Sequence, residues 1–132
     1  MESLRARVMF SKLIPEAVNP DENGEGVFYL RSPKETTLKP GEETLIDTGL
    51  RFYIPPGIAP LLSEASPVQP YHLARPHEWV DTFGGGFKPV LRLYNDARDP
   101  LVLRKGEHLA SLRFFPLITA PLVAIKNDVE CN

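Results

Sequence analysis

Thr48-Gly49-Leu50-Arg51-Phe52-Tyr53-Ile54-Pro55-Pro56-Gly57 sets the fold of this chain. Leu50, Phe52 and Ile54 alternate with Arg51 and Tyr53, the period of two expected of a strand that buries one face. Pro55-Pro56-Gly57 then ends the run, because proline presets the dihedral of a turn and glycine accepts the positive φ that can close one. The same pattern extends in both directions. Val27-Phe28-Tyr29-Leu30, Glu43-Thr44-Leu45-Ile46, Pro89-Val90-Leu91-Arg92-Leu93-Tyr94, Leu101-Val102-Leu103 and Leu109-Ala110-Ser111-Leu112-Arg113-Phe114-Phe115 are the other strand candidates. Lys39-Pro40-Gly41-Glu42, Asn95-Asp96-Ala97-Arg98-Asp99-Pro100 and Arg104-Lys105-Gly106-Glu107 carry turn residues between them, and Lys105-Gly106 reads as a hairpin turn. Short strands at such spacing predict an all-β sandwich or barrel. Fourteen prolines and nine glycines leave little room for a long helix.

The 132 residues suit one domain with its own core. Residues 1–121 are expected to form it, and the tail 122–132 is an edge strand, a swapped arm or disordered. A net charge of −2 gives no basic field to neutralise a phosphate backbone, so nucleic-acid binding is disfavoured. Small molecules and proteins are the expected partners. The single cysteine, Cys131, cannot form an internal disulfide, which fits a reducing compartment. No apolar run is long enough to span a membrane, and Met1-Glu2-Ser3-Leu4-Arg5 starts no signal peptide. A soluble protein of the cytoplasm or nucleus is expected.

Ser63 to Gly86 is the least patterned stretch. It contains Pro67, Pro70 and Pro76, the histidines His72 and His77, and the run Gly84-Gly85-Gly86. Long irregular connections in compact domains often carry function. Tyr71, Arg75 and Trp79 are of the types enriched at binding hot spots, which makes them candidate partner contacts. The glycine run could cradle phosphate but lacks a following Lys-Ser/Thr, and a flexible turn is the simpler reading. His72, His77 and His108 lack the close spacing of a metal site, so surface or packing roles are expected and no bound metal is assigned. No nucleophile elbow accompanies Ser66 and Asp81, which argues against a hydrolytic triad.

From about Lys12 to Pro116 the order of strands and turns resembles the trimeric dUTPase family, which hydrolyses dUTP to dUMP and pyrophosphate. Thr48-Gly49-Leu50 and Ile54-Pro55-Pro56-Gly57 match its scaffold. The family's first motif, Ala-Gly-Tyr-Asp-Leu, corresponds to Val27-Phe28-Tyr29-Leu30, with Tyr29 in the acidic position. Ala65-Ser66-Pro67 stands for Arg-Ser-Gly and keeps the serine. Trp79-Val80-Asp81-Thr82-Phe83-Gly84-Gly85-Gly86 keeps an aspartate, Asp81, where the family has its general base, and places Phe83 near the sugar-stacking tyrosine. Lys105-Gly106-Glu107-His108-Leu109-Ala110-Ser111 corresponds to Lys-Gly-Asp-Arg-Ile-Ala-Gln, with Ser111 in place of the glutamine. The glycine-rich fifth motif has no counterpart in Leu122 to Asn132.

The resemblance implies a distorted β-barrel or jelly-roll sandwich assembled as a homotrimer. Kept scaffold with lost chemistry is also similar to the degenerate dUTPase-like proteins of viruses, especially the adenoviral early-region type. On that likeness the expected function is that of a pseudoenzyme: a factor that binds a protein partner and modulates host pathways without efficient dUTP hydrolysis. The alternative is an active dUTP pyrophosphatase, with Asp81 as base, Ser66, Phe83 and Ser111 contacting the substrate, and magnesium carried on the triphosphate. A third reading is a sensor that binds a deoxynucleotide without hydrolysing it. Without the family, Asp81 beside a glycine run reads as a turn carboxylate.

Overall fold

Thirteen strands and no helix make up the described part of this chain in the computed structural model, which covers residues 7–65, 71–73, 78–79, 86–118 and 120–126. In chain order they are β1 (Met9–Lys12), β2 (Asp21–Glu22), β3 (Phe28–Arg31), β4 (Thr36–Leu38), β5 (Glu43–Asp47), β6 (Leu50–Tyr53) and β7 (Ile58–Glu64). There follow β8 (Tyr71–Leu73), β9 (Glu78–Trp79), β10 (Gly86–Phe87), β11 (Val90–Asn95), β12 (Leu101–Leu103) and β13 (His108–Pro116). They form sheets β2-β3-β13-β7-β9, β5-β11-β8, β1-β6-β10 and the pair β4-β12. Every pairing is antiparallel.

The alternation read in the sequence is the alternation of burial. Leu50 and Phe52 on β6 and Leu91 and Leu93 on β11 point inward, while Tyr53, Val90, Arg92 and Tyr94 point out. They meet Leu30, Leu38, Leu103, Leu109 and Leu112 in one core. Asn95 ends the inward row of β11 as a fully buried amide. Its Nδ2 donates to the carbonyls of Leu38 at 2.9 Å and Asp99 at 3.0 Å, and its Oδ1 accepts from the Ala97 amide at 2.9 Å. A buried amide with its partners in place closes the turn without the penalty of unmet hydrogen bonds.

The Thr48–Gly49 corner is equally constrained. Thr48 Oγ1 donates to the Pro89 carbonyl at 2.9 Å, and the Gly49 amide donates to Asp47 Oδ1 at 2.9 Å. Gly49 has φ +71°, and a Cβ there would lie 2.6 Å from Ile14 Cγ1. Both the backbone conformation and the space require glycine.

Two expectations change. The stretch from Ser63 to Gly86 is not one long irregular connection: it opens on the end of β7, contains β8 and β9, and ends on β10. Pro60 inside β7 obscured that strand, and β8 to β10 are too short to show a period. Arg104-Lys105-Gly106-Glu107 is a turn, with the Glu107 amide donating to the Arg104 carbonyl at 3.1 Å, but it is not a hairpin. The strands it joins pair elsewhere, β12 with β4 and β13 with β3 and β7. The chain changes sheets at this corner, which is fastened to Ser32 by the Gly106 amide donating to the Ser32 carbonyl at 2.8 Å and the Ser32 amide to the Glu107 carbonyl at 2.9 Å.

Candidate functional site

Four residues from four strands lie opposite one another across the largest sheet: Asp21 on β2, Tyr29 on β3, Ser111 on β13 and Ser63 on β7. Directly paired residues of antiparallel strands project from the same face, so the four form a polar row. Arg31, two residues beyond Tyr29, shares that face. His108 joins it through a register shift between His108 and Ala110, where Leu109 is the extra residue and turns fully into the core. In a regular strand His108 and Ser111, three apart, would point to opposite faces. The bulge puts both in the row.

The row is held by charge and stacking. Arg31 donates from Nε and Nη2 to the two carboxylate oxygens of Asp21 at 2.8 and 2.9 Å, and from Nη1 to the Gly106 carbonyl at 2.9 Å. The Arg31 guanidinium, with a further contribution from His108, holds the Asp21 carboxyl down at about 2 against a partial opposing effect of burial. His108 stacks on the Tyr29 ring with centroids 4.7 Å apart, and its Nε2 lies 3.3 Å from Asp21 Oδ2. Ser111 is buried, and its Oγ donates toward the carbonyls of Glu64 at 3.2 Å and Ser63 at 3.4 Å.

Among the residues expected to act, the structure therefore places Ser111 in the row, with its hydroxyl hydrogen directed to backbone rather than outward. Tyr71 is a correction. Its side chain is 6% exposed and its hydroxyl donates to the His108 carbonyl, so it does not offer a ring to a partner. Burial pushes its phenol up to about 12. Aromatic residues suit interiors as well as interfaces, and type alone could not separate the two. The Trp79 backbone belongs to β9, opposite Leu61 of β7. Ser66, Arg75, Asp81 and Phe83 lie outside the described residues.

Asp21 and Arg31 were not singled out by the sequence. Their contact spans ten positions with a turn between, and no local spacing announces it. An open cavity of about 340 Å³ elsewhere is lined by apolar side chains including Val8, Phe10, Phe28, Phe52 and Phe114, with no side-chain donor for a phosphate. Among the described residues no group of three or more His, Cys, Asp or Glu side chains is placed to hold a metal ion.

No protein-family profile matches the chain. It is 27% identical over 110 residues to the deoxyuridine 5′-triphosphate nucleotidohydrolase of Anaeromyxobacter sp., covering 81% of this chain and 74% of that one. With the protein of the same name from Pseudomonas putida it is 27% identical over 128 residues, 91% of this chain and 84% of the other. The dUTPase of Staphylococcus bacteriophage 80alpha superposes with a TM-score of 0.75 at 19% identity, over 92% of this chain and 97% of its own. A mutant dUTPase from phage phi11 of S. aureus, described for its coordination of a structural Mg(II) ion, gives 0.75 at 18% identity over the same shares. The chain has the dUTPase fold.

Within the dUTPase fold Tyr29 and Ser111, which the resemblance sets in the first and fourth motifs, are cross-strand partners. Tyr29 and His108, which the resemblance sets at the family's acidic and arginine positions, stack on each other.

Proposed function

We propose that this protein hydrolyses dUTP, taken up as its magnesium complex, to dUMP and pyrophosphate. The observation that carries the reading is the likeness to named dUTP nucleotidohydrolases along 81% and 91% of the chain. In this reading Asp81 accepts the proton of the attacking water. Ser66 and Ser111 contact phosphate, and Phe83 lies by the sugar. For Ser111 to donate, its hydroxyl must turn away from the Glu64 and Ser63 carbonyls.

The site is proposed to be completed between subunits of a homotrimer. Because β9 runs antiparallel to β7, with Glu78 opposite Leu62 and Trp79 opposite Leu61, the chain bearing Asp81 leaves toward the Ile58 end. The chain bearing Ser66 leaves from the other end, after Glu64. Leu117, Ile118, Leu122, Val123 and Ile125 are all exposed in the single chain, and apolar surface of this kind favours burial in a closed assembly.

Pyrophosphate release from dUTP with magnesium tests the reading. Turnover that falls by roughly a hundredfold or more in Asp81→Asn is expected, since a positioned general base contributes on that order; no turnover by the intact chain would defeat it. A second reading, a host-modulating viral factor that binds a protein partner through Arg75 and Trp79, is favoured by the Tyr29–His108 stack at an acidic position. The phage 80alpha dUTPase, described as controlling transfer of virulence genes, supports such a use of the fold. Calorimetry with a non-hydrolysable dUTP analogue separates the readings: binding with turnover supports the enzyme, binding alone a nucleotide sensor, and neither the partner-binding factor.

A further inference from the structure

The bulge in β13 is what puts His108 and Ser111 on one face, and a bulge has to be held. An extra residue interrupts the ladder, so backbone groups beside it must find partners outside the regular pairing. Here the pairing runs from Arg31 opposite His108 to Leu30 opposite Ala110, with Leu109 as the residue between. Removing the bulge by a one-residue slip would exchange faces: Leu109 would come opposite Arg31 and leave the core, and His108 would turn in. Burial of Leu109 opposes the slip. It does nothing for the backbone.

Two consecutive carbonyls on the approach to the bulge are met from elsewhere in the fold. The Glu107 carbonyl accepts from the Ser32 amide, and the His108 carbonyl, in the peptide that leads into Leu109, accepts from the Tyr71 hydroxyl. Tyr71 belongs to β8 of the other sheet, β5-β11-β8, where it lies opposite the buried Asn95 and shares its inward face. Its buried side chain therefore crosses from one sheet to the irregular point of another. A phenylalanine would fill the same space without the donor. We infer that Tyr71 is a positioning residue for the polar row: its hydroxyl holds the Leu109 bulge, and through the bulge it keeps His108 stacked on Tyr29 and on the face of Ser111. The catalytic side of this role rests on the dUTP reading, in which Ser111 contacts phosphate. The hold on the bulge does not.

Amide hydrogen exchange of the wild type and of Tyr71→Phe, read residue by residue, tests the hold, because a local fastening and a general loss of stability leave different patterns. In the variant, Leu109 and Ala110 should exchange about three- to tenfold faster than the change at Ile46 and Leu91 accounts for, the scale of one hydrogen bond. Equal acceleration at all four amides overturns the proposal. Ile46→Val, which trims the core on β5, is the control for a destabilised fold. If it too singles out Leu109 and Ala110, the bulge is only the weakest point of the sheet and the proposal fails. The nuclear Overhauser contact between the rings of His108 and Tyr29 gives a second readout: it should weaken in Tyr71→Phe and persist in Ile46→Val, and an unchanged contact in Tyr71→Phe counts against the hold. Pyrophosphate release from dUTP with magnesium then separates the two layers. Severalfold slower turnover in Tyr71→Phe supports the positioning role, and normal turnover by a variant with a loosened bulge overturns it. A wild type without turnover defeats the dUTP reading, and the exchange pattern still decides whether Tyr71 holds the bulge.

Discussion

The Thr48–Gly49 corner between β5 and β6 and the cross-strand row Asp21–Tyr29–Ser111–Ser63 both hold polar groups, yet they constrain the sequence in opposite ways. At the corner, Thr48 is fully buried, its hydroxyl is committed to Pro89, and Gly49 has no space for a side chain. Almost any substitution there acts on the fold. In the row, Asp21 is 42% exposed, Arg31 and His108 are also partly open, and Asp21 is held by the side chains of Arg31 and His108. The strands beneath are held by their own ladder, so the chemistry above them can change while the sheet remains.

The sharpest way to break this contrast is Gly49→Ala. A positive φ and a Cβ 2.6 Å from Ile14 Cγ1 should together cost about 3 kcal/mol or more. A denaturant midpoint close to wild type would show that the corner is not the rigid element argued here.

Tyr71→Phe comes next. It removes the donor to the His108 carbonyl and should cost about 1 to 2 kcal/mol. The same residue sets a base-side limit. With the buried phenol raised from 10 to about 12, the folded state keeps its proton after the unfolded chain has lost it. Stability tied to Tyr71 is thus complete below pH 10 and is lost as pH rises toward 12. Unfolding curves collected between those values should fall for the wild type and flatten for Tyr71→Phe; parallel curves would contradict the burial argument.

Asp21→Asn probes the row. With the folded carboxyl held at about 2 against an ordinary 3.8, the stabilisation by Arg31 is present above about pH 4 and is lost as pH falls toward 2. The variant should lack that acid-side decline. Since both groups are partly exposed and screened, its cost at neutral pH is about 1 kcal/mol or less. Smallest of all should be Ser111→Ala, below about 1 kcal/mol, because the carbonyls that accept its hydroxyl already belong to strand β7. A loss several times larger would move Ser111 from the adaptable row to the scaffold, and the contrast between the two regions would narrow.

Much of this was legible locally. Leu50-Arg51-Phe52 and Val90-Leu91-Arg92-Leu93 announce their buried faces by alternation, and the glycines at 41, 57 and 106 mark turns with positive φ. Ser111 could be placed through the motif around Lys105-Gly106. Less legible was Tyr71, whose type suits a hot spot or a core equally well, and β7, where Pro60 interrupts the expected composition. The ion pair of Asp21 with Arg31 and the contacts of His72 with Glu64 and Asp96 left no local trace, because each joins residues of different elements.

Composition and period thus determined an all-β chain, its turns and most of its inward-facing residues, since φ preferences and the two-residue repeat of a strand are properties of neighbours in sequence. Only the tertiary structure decided what meets across the sheet. The extra residue at Leu109 brings His108 and Ser111 to one face, the sheet change at Gly106 ties that strand to Ser32, and Tyr71 is drawn into the interior. Each of these depends on which strand pairs with which and in what register, and register is fixed by burial and hydrogen bonds between segments far apart in the chain.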